Sequence, residues 1–140
     1  MAESRNITWL IKFKVEPHIK HPYVFKLVAA HLNYGKWMLH PPSQITAHPG
    51  KEAEFGAAAC GAAWTATGVD GAFRYICPDG KGDGELLFTF DIPWSSANKG
   101  RAEIMGVDAL LFEFDNGGEI PHSGNSHFIT VHITQVKDRP

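Results

Sequence analysis

The sequence predicts an all-β protein: an antiparallel β-sandwich of about eight to ten short strands, forming a single domain over residues 1–140. Three observations carry this. Apolar and polar residues alternate cleanly near both ends of the chain, at Asn6–Val15 and His127–Val136, which puts one face of each segment in a core and the other in water. Turn signals built from Gly, Pro, Asn and Asp divide the rest into short pieces. No stretch sustains an apolar pattern at helical spacing long enough for a credible long helix.

In chain order, the first strand sets Ile7, Trp9, Ile11, Phe13 and Val15 on one face against Asn6, Thr8, Lys12 and Lys14 on the other, with Leu10 the one apolar residue on the wet side. Glu16-Pro17-His18 ends it. Tyr23–Leu32 is an apolar segment of open type, since Tyr23, Phe25 and Leu27 fit a strand whereas Val28-Ala29-Ala30 also suits a short helix. Asn33-Tyr34-Gly35-Lys36-Trp37 reads as a turn entering a short strand, and His40-Pro41-Pro42 forbids regular pairing because proline has no N–H to give a ladder. Pro49-Gly50-Lys51-Glu52 is a second turn, leading to a short strand from Glu52 to Ala57. The run of small residues from Ala57 to Ala63 fits either a flexible loop or a tight turn beneath a packed sheet.

The centre of the chain is a hairpin within Trp64–Asn98. Strand-like runs Gly71–Ile76 and Glu85–Asp91 flank the turn-rich Cys77–Gly84, with Trp64 before the hairpin and Trp94 after it. Short strands follow at Arg101–Met105 and Ala109–Asp115, joined by Gly106-Val107-Asp108. A polar loop over Asn116–Ser126 then leads to the long closing strand.

Composition narrows the function. Thirteen basic and fifteen acidic residues give a net charge of -2, and the basic ones are scattered, so no field draws nucleic acid. Cys60 and Cys77 lack zinc or redox spacing and read as ordinary thiols. The charged N-terminus does not read as a secretory signal, and no window approaches the ~20 apolar residues of a spanning helix. The expectation is a soluble chain, cytosolic or exported by a non-classical route, acting at a target membrane surface.

Catalytic signatures are missing: there is no nucleophile elbow, P-loop, zinc helix or dinucleotide fingerprint. No cofactor or metal is expected, and the chain is not read as an enzyme. His122, His127 and His132 are spaced by five, but odd spacing sends His127 and His132 to opposite faces of a regular strand, against shared metal ligation. The carboxylate pairs Asp83/Glu85 and Glu113/Asp115 fit solvated strand faces, without a sign of the pocket that general acid catalysis needs.

The aromatic residues carry the stronger signal. Tyr34 and Trp37 lie beside a turn, and Trp64 and Trp94 sit in loops; amphipathic rings in such settings suit a ligand or a membrane interface. Trp9 falls instead on the apolar face of an alternating strand and reads as core. Together, Tyr34, Trp37, Trp64 and Trp94 are expected to line a concave site at one end of the sandwich.

In order and spacing, W-L-I-K-F near the start, Asn33-Tyr34-Gly35-Lys36-Trp37, Ala59-Cys60-Gly61, Thr67-Gly68, Phe90-Asp91-Ile92-Pro93-Trp94 and His122-Ser123-Gly124 resemble the aegerolysins, small β-sandwich proteins of fungi and bacteria. The resemblance implies recognition of membrane lipids, commonly sphingolipids, with or without sterol. It also implies cooperation with a larger perforin-like partner in a two-component pore, as a cytolytic, haemolytic or insecticidal toxin component. It implies lipid contact by Trp9, Tyr34 and Trp94. The chain departs from the pattern where Ile92 replaces the cysteine of D-C-P-W. It departs again at Trp64, which lies near the place of an acidic residue that tunes headgroup choice in some members. A lectin-like glycan-binding module is the alternative reading, because surface tryptophans on β-sandwiches also stack on sugars.

Overall fold

The computed structural model describes residues 5–61, 68–77, 84–105, 110–114 and 119–135, with backbone alone at 104–105 and 110–114. Two five-stranded sheets face each other. The first has the order β3 (Lys36–Leu39), β5 (Glu52–Cys60), β1 (Asn6–Val15), β10 (Ser126–Gln135), β9 (Leu110–Phe114). The second has the order β4 (Gln44–Ala47), β2 (Tyr23–Tyr34), β6 (Val69–Ile76), β7 (Glu85–Ile92), β8 (Lys99–Met105).

The pairing is antiparallel with one exception. β1 and β10 lie side by side in the middle of the first sheet and run parallel, Asn6 opposite Ser126 and Val15 opposite Gln135. Parallel neighbours need a long crossover, and here the whole second sheet lies between them in the chain. β8 and β9, adjacent in sequence, separate into different sheets: β8 pairs with β7 and β9 with β10.

The alternation predicted for the end strands is the alternation observed. In β1 the odd positions are buried and in β10 Ile129, Val131 and Ile133 are. Tyr23–Tyr34 is a strand throughout, with register shifts between Leu27 and Ala29 and between Leu32 and Tyr34. The first bulge turns two successive residues to the same side, which leaves Val28 and Ala29 both exposed. β5 continues through Ala57 and Ala59, both buried, so the small residues up to Cys60 pack closely in a strand rather than forming a loop.

The core centres on rings. Phe73 and Phe88, a register pair of β6 and β7, stack at 4.5 Å, and Trp9 meets Phe88 edge-on at 5.2 Å and Phe73 at 6.5 Å from the opposite sheet. Each such aromatic pair contributes about 0.5–1.5 kcal/mol beyond simple burial. Tyr75 donates its hydroxyl to the Pro42 carbonyl at 2.6 Å, tying the unpaired proline segment to the second sheet. Burial pushes that phenol well above the ordinary tyrosine range.

Candidate functional site

β1 and β10 begin, and β5, β2 and β7 finish, at the same end of the sandwich, so Arg5, Tyr34–Gly35, Gly61, Gly68, Trp94 and Pro121–Asn125 gather there. Gly35 makes the sharp entry into β3 possible. Its φ is +100°, and a Cβ there would collide with the Cys60 carbonyl, so no other residue fits without strain. The turn places Tyr34 outward, 63% exposed.

Trp94 follows β7 in the loop at this end and is half-buried. The Arg5 guanidinium carbon lies 4.3 Å from the centre of its ring, and Arg5 Nη2 donates to the Trp94 carbonyl at 2.8 Å. The indole is therefore pre-oriented by a cation–π contact and a hydrogen bond from a residue far away in sequence.

The same loop is anchored below by a buried polar knot. Asn98, 3% exposed, presents Nδ2 to the carbonyls of Pro121 at 3.1 Å and Gly124 at 3.0 Å, with His127 Nε2 at 3.0 Å. Its backbone N–H donates to the His122 carbonyl at 2.9 Å. Asn98 thus holds the Trp94 loop against the Pro121–Asn125 loop. His127 turns into this knot while His132 faces outward, the divergence expected from odd spacing.

Beside the loops, on the outward face of the second sheet, lies an open groove of about 370 Å³. Register places Tyr34, Asp70, Asp91 and Lys99 in one row across four strands, the last three lining the groove with His31 and Asn33. His31 Nε2–H donates to Asn33 Oδ1 at 2.7 Å, and Asn33 Nδ2 donates to Asp70 Oδ2 at 3.2 Å. The bonding order sets the orientation of the Asn33 amide and the tautomer of His31. Partial burial, then the neighbouring Asp70 carboxylate, raises the Asp91 pKa, while Lys99 opposes the shift. The groove thus offers carboxylate, ammonium and amide groups next to an exposed phenol ring. Gly100, at the edge of the groove, has a φ of +143°, and a Cβ there would collide with the Thr89 carbonyl and with the buried Ile120 side chain at 2.6 Å, so the close approach of these strands requires glycine.

The residues singled out from sequence are distributed unevenly over this end. Tyr34 and Trp94 belong to it. Trp37 turns inward, its ring against Phe73 at 6.2 Å, Phe90 at 6.1 Å and His40 at 5.6 Å, so it caps the core between the sheets. Trp9 is 1% exposed, which corrects the implied lipid contact: a ring enclosed by Phe73 and Phe88 reaches no ligand in the folded protein. Trp64 lies outside the described residues, as do Asp83 and Asp115. Ile92 is fully buried, so the position that departs from D-C-P-W packs the core and does not face the site. Among the described residues no group of three or more His, Cys, Asp or Glu is placed to hold a metal ion.

The acidic row was missed in the sequence although a signal existed. A symmetric hairpin closing on Ile76 and Glu85 necessarily pairs Asp70 with Asp91. What sequence could not supply is β2 on one side and β8 on the other, which add Asn33 and Lys99.

No protein-family model matches the chain, and no curated protein does either. Solved structures share its fold. IP-1A from Alcaligenes faecalis superposes with a TM-score of 0.60 at 17% identity, covering 93% of this chain and 91% of that one. RahU, solved in complex with a TRIS molecule, gives 0.57 at 18% identity over 93% and 96% of the two chains. The lipid-binding protein Nakanori gives 0.52 at 11% identity over 93% and 71%. Among the described residues no helix is long and apolar enough to cross a membrane.

Proposed function

We propose that this chain recognises a membrane lipid through its loop end, in the manner of an aegerolysin, and that it binds rather than turns over its ligand. The observation that carries the reading is the adjacency of two kinds of surface: Tyr34 and Trp94, exposed or half-exposed rings at one end, and the charged groove directly beside them. Aromatic rings with a polar edge settle at headgroup depth. Within the groove, Asp70 and Asp91 would face a headgroup ammonium and Lys99 a phosphate, a pairing suited to zwitterionic lipids such as sphingolipids carrying phosphoethanolamine or phosphocholine. The fold shared with a lipid-binding protein and the order of the sequence motifs support this reading. Pore formation would fall to a larger perforin-like partner, since the described strands are all engaged in the two sheets and a membrane-crossing barrel needs strands of its own.

The test is co-sedimentation with vesicles of phosphatidylcholine alone or with added sphingomyelin or ceramide phosphoethanolamine, with and without cholesterol. Binding restricted to the sphingolipid vesicles is expected. The glycan-binding alternative draws on the same groove, because Asn33 and Asp70 beside Tyr34 also match the hydrogen-bonding and stacking groups that hold sugars. Binding on a glycan array without binding to any vesicle would replace the lipid reading with that one.

A further inference from the structure

We infer that β3, at the edge of the first sheet, makes a second membrane contact: Met38 and Leu39 enter the interface of the bilayer whose headgroups the loop end binds. Trp37 pairs with Ala59 and turns inward onto Phe73 and Phe90, so a regular strand would carry Met38 outward and Leu39 inward. A register shift between Trp37 and Leu39 prevents this. The bulge turns two successive residues to the same side, and Met38 and Leu39 are 64% and 52% exposed. The surface beside them is uncharged. Next to β3, the outward positions of β5 are Cys60, Ala58 and Gly56, with Leu39 lying over Gly56, and level with these on β1 stand Asn6, Thr8 and Leu10. Charge returns one level further from the loop end, where Lys12 and Glu54 lie 3.8 Å apart.

Large apolar side chains exposed on an edge strand invite either another strand or an apolar phase. Three observations favour the bilayer. β3 is four residues long and bulged, so it offers no continuous ladder to an added strand. Tyr34, 63% exposed, is joined to β3 through Gly35 alone, so the contact runs without a break from the loop end along the edge. Lys36 stands between Tyr34 and Met38 and makes no ion pair among the described residues; its ammonium can meet a lipid phosphate while its stem lies on apolar surface. The chain would thus rest on the corner between its loop end and its β3 edge. Asp70 is the register partner of Tyr34, so the headgroup groove opens one strand away from that corner. The β3 contact rests on the membrane reading of the loop end and adds what the groove lacks, an apolar attachment that reads no headgroup and strengthens binding to every vesicle alike.

The test reads insertion and affinity separately, on phosphatidylcholine vesicles containing sphingomyelin or ceramide phosphoethanolamine. In a Cys60→Ser background, with Cys77 buried, an environment-sensitive fluorophore on Met38→Cys should shift to the blue and be quenched by a spin label carried high on the phospholipid acyl chain. The same fluorophore on Lys51→Cys, in the turn before β5 at the opposite end of the sandwich, should do neither. In co-sedimentation, the double variant Met38→Ser, Leu39→Ser should bind at least about tenfold more weakly to each vesicle that the wild type binds, with the ratio between the two sphingolipids unchanged and the unfolding midpoint close to the parent's. An unquenched fluorophore on vesicle-bound protein overturns the β3 contact, and so does a double variant that pellets like the parent. It is equally overturned if binding is lost only in Phe128→Ser, since Phe128, 62% exposed on β10, would then be the contact. Self-association of the wild type without vesicles, abolished in the double variant, would make the edge a protein contact instead. A wild type that pellets with none of the vesicles removes the membrane reading itself, and the β3 contact with it, whereas binding by the wild type with the β3 results negative removes the β3 contact alone.

Discussion

Replacing Asn98 by alanine tests whether the buried knot sets the shape of the loop end. The wild-type amide is 3% exposed and presents Nδ2 to the carbonyls of Pro121 and Gly124, beside His127 Nε2. Alanine keeps the backbone bond to His122 and removes every side-chain contact. Two net hydrogen bonds at about 0.5–1.5 kcal/mol each, together with the cost of partners left poorly satisfied, give a loss of about 2–4 kcal/mol. For a chain of 140 residues that corresponds to a melting point lower by about 7–14 °C, or a urea midpoint lower by about 1–2 M with an unchanged slope. Intrinsic tryptophan fluorescence in a urea titration reads the midpoint, and the emission of Trp94, four residues away in the same loop, should shift to the red before the global transition. Asn98→Asp should cost more, because a carboxylate would face two carbonyl oxygens. A loss below about 1 kcal/mol for Asn98→Ala, with fluorescence unchanged, would refute the idea that this side chain holds the two loops together.

Other perturbations separate core from site. Trp9→Ala empties a space enclosed by Phe73 and Phe88 and should cost about 3–5 kcal/mol, read by chemical denaturation; a cost near zero would return Trp9 to the surface. Gly35→Ala forces an L-residue to a φ of +100° against the Cys60 carbonyl and should lose about 1–3 kcal/mol, whereas Gly56→Ala, at ordinary φ, should lose less in the same melt. The Asp91 pKa is raised from 3.8 by burial and by Asp70, so the folded state holds that proton more tightly than the unfolded chain. The stabilising effect of the protonated form is present below the unfolded value and fades as pH rises through the folded one. Asp91→Asn should therefore flatten the decline in melting temperature as pH rises above about 4, and a variant whose melting profile tracks the wild type would refute that role.

Much of the fold was legible because strand burial is a period-two phenomenon: β1 and β10 alternate so regularly that their inward faces could be named residue by residue. β2 resisted because its bulge at Leu27–Ala29 breaks that period, and the resulting Val28-Ala29-Ala30 run mimics a helix. The parallel pairing of β1 with β10 was not legible, since alternation specifies which face is buried but not which strand lies alongside. The site divided in the same way. That Tyr34 stands beside a turn and Trp94 in a loop was readable from turn chemistry. The inward turn of Trp37 depends on Phe73 and Phe90 from the other sheet, and the Arg5–Trp94 contact joins residues 89 positions apart. Tertiary neighbours of that kind leave no mark on local sequence.

The central claim is that the loop end binds lipid, and the measurement that meets it most directly is vesicle co-sedimentation of the wild type beside Tyr34→Ala, Trp94→Ala and the double variant, each with its unfolding midpoint. Phosphatidylcholine vesicles with and without sphingomyelin or ceramide phosphoethanolamine supply the surface. Binding by the wild type to a sphingolipid vesicle is predicted, reduced about tenfold or more by each substitution with the exposed Tyr34 variant as stable as the parent. Wild-type binding left intact in the double variant, or no binding to any of these vesicles, would contradict it.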